Sequence, residues 1–384
     1  MSSPVAKSSV GPGALQLEEI RPEALTASDL ARWRGFLAAA PDLGSPFLDP
    51  EFTRIAGQIA PNTRIAVLHR RGEIQGFLPF QRRGATLQPL AAPLNDYQGV
   101  VAAPDRRPGL DVLLRQLGAS GAWVTGWIGP AGSVTGLSPA SAALVDLSAG
   151  WDDYLARQSL AHPKFFRDKG RVRRRIGATF ARYAVIDDDR DATCLAELVR
   201  LKRGQLHRTG QHDIFRCGWT RDILAALLAR PRSGLHARIA TLRLDDEAAA
   251  YELSLVSDAM QHFWIPAYEP RFAAHSPGML LSLDTLRTRR AQGAVLFDLG
   301  SGPERYKAYF GNAARPVLTG FAYRAETAAS RLMAGDRVGG KLRRRWAVIE
   351  ACGDYASGLS RGAGAMLRLS RVRVRGGADD HHRS

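Results

Sequence analysis

The stretch from Met260 to Phe310 constrains the fold more than any other part of this 384-residue chain. Its pattern predicts elements that alternate between strand and helix: a strand Met260–Pro266, a helix from about Pro277 to Gln292, a strand Ala294–Leu299 and a short helix Pro303–Phe310. The long helix has strong start signals, because Ser276 precedes it and Pro277 occupies its first position. A helix that connects two strands in this way indicates an α/β fold.

The order of predicted elements divides the chain into two similar halves, although the sequence itself does not repeat. Each half has helices near its start, a group of antiparallel strands, a further helix and closing strands. We expect four segments: a disordered leader at 1–13, a first domain at 14–149, a second domain at 150–325 and a basic helical tail at 326–384. The leader lacks the apolar core of a secretory signal.

The net charge of +16 is concentrated in two places. Residues 164–182 contain eight Lys or Arg against one Asp, and residues 331–384 contain twelve against five. The rest of the chain is close to neutral, which excludes a protein built throughout to neutralise nucleic-acid phosphates. The predicted helix at Lys164–Ile176 presents a cationic face that is either a solvated surface or a contact for an anionic ligand.

The three cysteines are odd in number and far apart, without a CxxC pair. This pattern argues against structural zinc and favours a reducing compartment, so we expect no metal site. No run of 18 apolar residues occurs, which predicts no transmembrane helix and a cytoplasmic protein.

Two polar features lie at the joints of the 260–310 stretch. Ser276-Pro277-Gly278 exposes N–H groups at the positive end of a helix, where an anion such as a pyrophosphate could bind. The alternative is simply a well-capped helix. Asp298 ends an apolar strand and needs a partner, for which Arg305 and Lys307 are the candidates. That pair could equally be a structural ion pair.

The succession of motifs in this half resembles a known family. The residues that carry the resemblance are Tyr268, Ser276-Pro277-Gly278-Met279-Leu280-Leu281, Gly293, Phe297-Asp298-Leu299-Gly300, Gly302, Glu304 and Tyr306-Lys307, with Lys202, Gly210 and Phe215 upstream. They are similar to GNAT-type acyltransferases associated with cellulose and exopolysaccharide biosynthesis, which are relatives of Fem-type aminoacyl transferases. The similarity covers about residues 45–320. It implies an α/β (α+β) fold of two tandem GNAT-like domains, each a mixed, mostly antiparallel sheet flanked by helices.

The resemblance also implies where an acyl-CoA would bind. Ser276, Gly278 and Met279 would face its pyrophosphate, and Lys307 would belong to the same site. The strand residues Trp264, Ile265 and Pro266 would line the pantetheine arm, between two strands that splay apart. Residues 45–320, which the resemblance covers, lack the [QR]xxGx[GA] loop that many GNAT proteins use for pyrophosphate.

Transfer to an amine or hydroxyl needs a proton acceptor and a donor for the leaving thiolate. The candidate bases are Asp298, Glu252, Tyr268 and His262, and Tyr306 is the candidate donor. We take Asp298, Tyr306 and Tyr268 as the predicted catalytic residues. The cluster Asn95-Asp96-Tyr97 of the first half either lines an acceptor cleft between the halves or forms a turn.

The leading hypothesis is therefore an acyltransferase that moves an acyl group, in the first place acetyl, from acyl-CoA to an amine or hydroxyl of a sugar, a polysaccharide precursor or another small acceptor. A second hypothesis is a Fem-type transferase that uses aminoacyl-tRNA, for which the basic helix and tail would bind RNA. A third is a non-catalytic basic binding protein with a vestigial site.

Overall fold

The computed structural model describes residues 14–302 and 304–324. The predicted leader at 1–13 and tail at 326–384 lie outside the described residues. The first half contains these elements: β1 Gln16–Ile20, α1 Ala27–Ala38, α2 Pro50–Ile59, β2 Thr63–Arg70, β3 Glu73–Arg83, β4 Thr86–Pro89, β5 Gln98–Gly99, β6 Val101–Ala102, α3 Leu110–Gln116, β7 Gly121–Ile128 and β8 Thr135–Asp146. The second half contains these: α4 Trp151–Ala161, α5 Pro163–Thr179, β9 Tyr183–Ile186, α6 Cys194–Arg208, α7 Gly218–Leu228, β10 His236–Leu244, β11 Glu247–Val256, β12 Gln261–Tyr268, α8 Pro277–Ala291, β13 Leu296–Ser301, α9 Arg305–Phe310 and β14 Ala313–Tyr323.

The strands of both halves form one mixed sheet. Its order is β1-β2-β3-β4-β7-β14-β8-β13-β12-β11-β10-β9, and the short strands β5 and β6 pair with β7 and β3 beside this path. The pairs β4·β7, β5·β7 and β12·β13 are parallel, and the other described pairs are antiparallel. The predicted fold class, α/β with a mixed, mostly antiparallel sheet flanked by helices, is confirmed.

The two halves exchange strands at the middle of the sheet. β8 belongs to the first half but pairs with β13, whereas β14, the last described strand, lies between β7 and β8. The hydrogen-bonded sheet therefore continues across the predicted boundary at residues 149 and 150. Residues of the first half are brought against β12 and β13 as a consequence.

Alternation along the strands explains how helices cover both faces of the sheet. In β2, Ile65 and Val67 pack into a cluster that includes residues of α1, α2, α6 and α7, whereas Ala66 and Leu68 pack into a cluster that includes α3. In the second half, α5 and α8 pack against the face opposite to α6 and α7. The sheet thus lies between two helical layers.

Candidate functional site

The parallel strands β12 and β13 stay together for only two residue pairs. Gln261 pairs with Phe297 and His262 with Asp298, and beyond these positions the two strands have no pairing with each other. The register of β12 against β11 is also interrupted, since Trp264 has no partner in it. Beyond His262, backbone groups of β12 therefore have no partner on β13 and can face a ligand where the strands diverge.

Asp298 lies at the point of divergence and is fully buried. Its Oδ1 accepts hydrogen bonds from the Tyr97 hydroxyl (2.8 Å) and the Gly300 N–H (2.7 Å), and its Oδ2 accepts one from Arg315 (3.2 Å). Burial alone would raise the pKa of this carboxyl, but His262 and Arg315 hold it below its usual range. The predicted partners of Asp298 were wrong, because Lys307 instead contacts Glu304 and the Ser301 carbonyl oxygen.

His262, which is also fully buried, lies between two carboxylates. Its Nε2 is 2.9 Å from Asp96 Oδ2, and its Nδ1 is 3.5 Å from Asp298 Oδ1. Burial alone would lower the pKa of the imidazole, but the two carboxylates raise it to about 9. With this pKa the imidazole is a cation near neutral pH; it is hydrogen-bonded to Asp96, whereas its Nδ1 faces Asp298 across 3.5 Å without a hydrogen bond.

A second buried carboxyl, Glu252, lies on β11 directly opposite Pro266 of β12. Its Oε1 is buried and has no hydrogen-bond partner, and burial raises its pKa to about 8. Lys202 of α6 donates to the Pro266 carbonyl oxygen (3.3 Å), and burial lowers the pKa of its amine. Burial and the charge of Glu252 together raise the pKa of Tyr306, which therefore keeps its proton.

Gly300 brings these groups together at the turn after Asp298. Its φ of +74° favours glycine, and a Cβ at this position would lie 3.5 Å from His262 Cε1, 3.7 Å from Asp96 Oδ2 and 3.9 Å from Lys307 Nζ. An imidazolium, a carboxylate and an ammonium thus surround one small space beside the diverging strands.

The start of α8 forms a second part of the site. Ser276 precedes the helix with φ 46° and ψ 46°, a left-handed conformation that is strained for a residue with a side chain. Its hydroxyl does not cap α8 as predicted but accepts a hydrogen bond from Lys169 of α5 (2.8 Å). A Cβ at Gly278 would meet nothing within 4 Å, so open space adjoins the free N–H groups of the first helical turn.

The other predicted site residues lie around these two parts. Met279 and Tyr306 pack against one apolar cluster with Phe297. Ile265 is buried on the α6 side, and the Trp264 indole donates to the Leu94 carbonyl oxygen (2.8 Å).

Two predicted residues have features that limit what they can do. Pro266 has no N–H to donate, and its carbonyl oxygen accepts a hydrogen bond from Lys202, so its ring can offer a ligand apolar contact. Tyr268 ends β12 with 41% of its surface exposed, and no described contact joins its side chain to the buried carboxylates.

The sequence analysis did not single out Arg315 or Lys169 as site residues, and it named Asp96 and Tyr97 only as part of a run that lines an acceptor cleft or forms a turn. Tyr97 and Arg315 donate hydrogen bonds to Asp298. Asp96 is hydrogen-bonded to His262, and Lys169 donates to the Ser276 hydroxyl. The polar run Asn95-Asp96-Tyr97 was the available signal for the first half. Arg315 and Lys169 have no motif around them that distinguishes them from other basic residues.

Comparison with protein families gives one match, which covers residues 164–308 and is described as an acetyltransferase (GNAT) domain. The matched segment contains His262, Ser276 and Asp298, but not Asp96 or Arg315. It supports an acyltransferase of the GNAT fold. No curated protein matches the chain.

Three solved structures align with most of the chain at low identity. The C-terminal domain of a protein assigned as a lysylphosphatidylglycerol synthetase, from Agrobacterium fabrum, is 16% identical, with 80% of this chain and 94% of that chain covered and a TM-score of 0.44. FemX is 12% identical (74% and 97% covered, TM-score 0.47), and a tandem GNAT protein from the clavulanic acid biosynthesis pathway is 14% identical (82% and 100% covered, TM-score 0.43). At these identities and TM-scores, the similarities give no information on the substrate of this protein.

Within the described residues, no helix is both long and apolar enough to cross a membrane. The same part of the chain contains no group of three or more His, Cys, Asp or Glu side chains arranged to hold a metal ion.

Proposed function

We propose that the protein transfers an acyl group from acyl-CoA, with acetyl-CoA as the first donor to test, to an amine or hydroxyl. The observation that carries this proposal is the divergence of β12 and β13 after two residue pairs, beside the start of α8. The free edge of β12 can bond a peptide-like pantetheine arm as an added strand would. Its thioester would then lie near Gly300, within reach of the charged side chains described above.

The start of α8 supports the binding of the CoA pyrophosphate. Its free N–H groups and the helix dipole favour an anion, and Lys169, which also pairs with Asp168 (2.9 Å), places an ammonium at the Ser276 hydroxyl. The open space at Gly278 lets phosphate oxygens approach the backbone. Ser276, Gly278 and Met279 are the residues we assign to this contact.

Direct transfer explains the chemistry without a covalent enzyme intermediate. The acceptor's lone pair forms a bond to the thioester carbon, the carbon–sulfur bond breaks, and sulfur takes the electron pair. Tyr306, which stays protonated, can donate a hydrogen bond to the departing thiolate. Asp298 is enclosed by its partners, so we assign it the role of positioning His262 rather than of touching the substrate.

A sugar or polysaccharide precursor is the acceptor class that we propose to test first, in keeping with the sequence resemblance. Lys307 faces the Gly300 space and can contact the acyl or acceptor oxygen. The cytoplasm, where acyl-CoA is available, is the compartment that fits this reaction.

The test is a titration with acetyl-CoA followed by thermal shift and calorimetry. Binding should raise the melting temperature of the wild-type protein. Gly278→Glu should weaken binding at least about tenfold, because its carboxylate would enter the open space and repel phosphate. Gly35→Glu is the matched control, since Gly35 is also a helical glycine with nothing within 4 Å of an added Cβ but lies in α1. If wild-type protein does not bind acetyl-CoA but binds aminoacyl-tRNA, the proposal is wrong and the Fem-type reaction takes its place.

A further inference from the structure

Asp96 belongs to a loop of the first half that is held firmly against the second half. The Asn95 side chain accepts a hydrogen bond from the Tyr97 N–H (2.8 Å), and the Asn95 carbonyl oxygen accepts one from Thr125 (3.0 Å). On the other side, the Trp264 indole donates to the Leu94 carbonyl oxygen (2.8 Å). The loop conformation therefore fixes where the Asp96 carboxylate lies.

Asp96 is the exposed end of a buried chain of polar and charged side chains. The chain runs from Arg315 and Tyr97 to Asp298, then to His262 and finally to Asp96, through contacts of 3.2, 2.8, 3.5 and 2.9 Å. The Asp298 and His262 side chains are 0% and 1% exposed, whereas that of Asp96 is 42% exposed. A substrate can therefore reach this chain at Asp96 and is kept away from Asp298.

The Asp96 carboxylate also faces the place where the reaction would occur. Its Oδ2 lies 3.7 Å from the position that a Cβ of Gly300 would take, and Lys307 Nζ lies 3.9 Å from the same position. This position adjoins the point where β12 and β13 separate. A carboxylate of the first half and an ammonium of the second half thus flank one space.

We infer that Asp96 is the catalytic residue that receives the acceptor's proton, and that the first half builds the acceptor side of the site. This inference rests on the proposed function. As the acceptor nitrogen or oxygen bonds to the thioester carbon, its proton passes to an Asp96 oxygen, and the carbon–sulfur electron pair leaves with CoA. The His262 imidazolium holds Asp96 in place from the buried side and is a positioning residue.

The test compares Asp96→Asn with wild-type protein in two measurements. The first is the Kd for acetyl-CoA, and the second is the release of CoA with glucosamine, with cellotriose and with water alone as acceptor. Asp96→Asn should bind acetyl-CoA within about threefold of wild type and release CoA at least about a hundredfold more slowly. Asp96→Glu, which keeps the carboxylate, should restore part of the rate. Asp105→Asn, at an exposed carboxylate of the same half, should match wild type.

The outcomes separate the two proposals. Asp96→Asn that releases CoA within fivefold of the wild-type rate would overturn the role of Asp96 and leave the acyltransferase proposal standing. Wild-type protein that neither binds acetyl-CoA nor releases CoA, even to water, would overturn both. Circular dichroism and the imidazole NMR signal of His262 check that Asp96→Asn is folded, and a folded variant that has lost only turnover supports the inference.

Discussion

At the scale of single residues, the charge on His262 links the site to stability. The pKa of this imidazole is about 9 in the folded protein and about 6.5 in an unfolded chain. A raised pKa gives stability that is fully present below pH 6.5 and is lost as the pH rises through 9. The wild-type protein should therefore lose about 3 kcal/mol of this contribution between pH 6 and pH 9.5. Urea unfolding of wild type and His262→Gln at both pH values measures this contribution. The difference between their free energies of unfolding should be smaller at pH 9.5 than at pH 6. An equal difference at both pH values would contradict the conclusion that the imidazole is charged in the folded protein.

The buried carboxyl of Glu252 also makes stability depend on pH, but here the substitution should stabilise the protein. Because its pKa is raised to about 8, the folded protein favours the neutral carboxyl and loses stability as the pH rises from 4.5 towards 8. Glu252→Gln keeps the shape and cannot ionise. It should melt at the same temperature as wild type at pH 5 and more than about 3 °C higher at pH 8.5. If Glu252→Gln instead melts at a lower temperature than wild type at pH 8.5, the ionised carboxylate has a partner in the folded protein.

The sequence reveals which residues are unusual but not what they contact. Asp298 is recognisable because a carboxylate at the end of an apolar strand needs a partner, and the nearest basic residues in the chain were the natural candidates. Its actual partners include Tyr97, which is 201 positions away, and this contact depends on how the halves pack. Local pattern carries no information on such a pairing.

At the scale of elements, the contact between α5 and α8 decides what the basic helix does. Arg167, Arg171 and Arg174 are exposed, whereas Lys169 is mostly buried and contacts Ser276. Lys169→Met should keep the packing of the aliphatic stem but remove the charge, so that acetyl-CoA binds about tenfold more weakly. The Kd of the variant should also depend less on salt concentration. Lys164→Met, at an exposed position in the first turn of α5, should leave both quantities unchanged, and an equal effect of the two variants would indicate a diffuse charge effect instead.

Elements with a clear period were predicted well, and those without one were not. The helix α8, predicted from about Pro277 to Gln292, spans Pro277–Ala291. The strand β8, by contrast, spans Thr135–Asp146. Its first part consists mainly of Gly, Ser, Pro and Ala, which give no strand pattern. This first part forms because β14 supplies its hydrogen-bond partners, and β13 pairs only with the later residues 142–146.

At the scale of the whole molecule, the exchange of β8 and β14 should make the two halves unfold together. Gly320 of β14 has a φ of +134°, and an added Cβ would meet the Gly136 carbonyl oxygen of β8. Gly320→Ala should therefore cost more than about 2 kcal/mol. Gly72→Ala is the control, because Gly72 also has a positive φ but its Cβ would meet nothing within 4 Å, so only backbone strain of about 1 kcal/mol is added.

The two halves can be followed separately by hydrogen exchange in β2, near one edge of the sheet, and in β10, near the other. If β8 and β14 make the sheet one cooperative unit, both halves unfold together. In that case Gly320→Ala should raise the rate of amide hydrogen exchange through global unfolding by the same factor in β2 and in β10. Faster exchange confined to one of them would mean that the halves unfold independently, as the predicted domains at 14–149 and 150–325 would if each were stable alone. Because Asp96 and Asp298 come from different halves, equal factors would also mean that the candidate site exists only while both halves are folded.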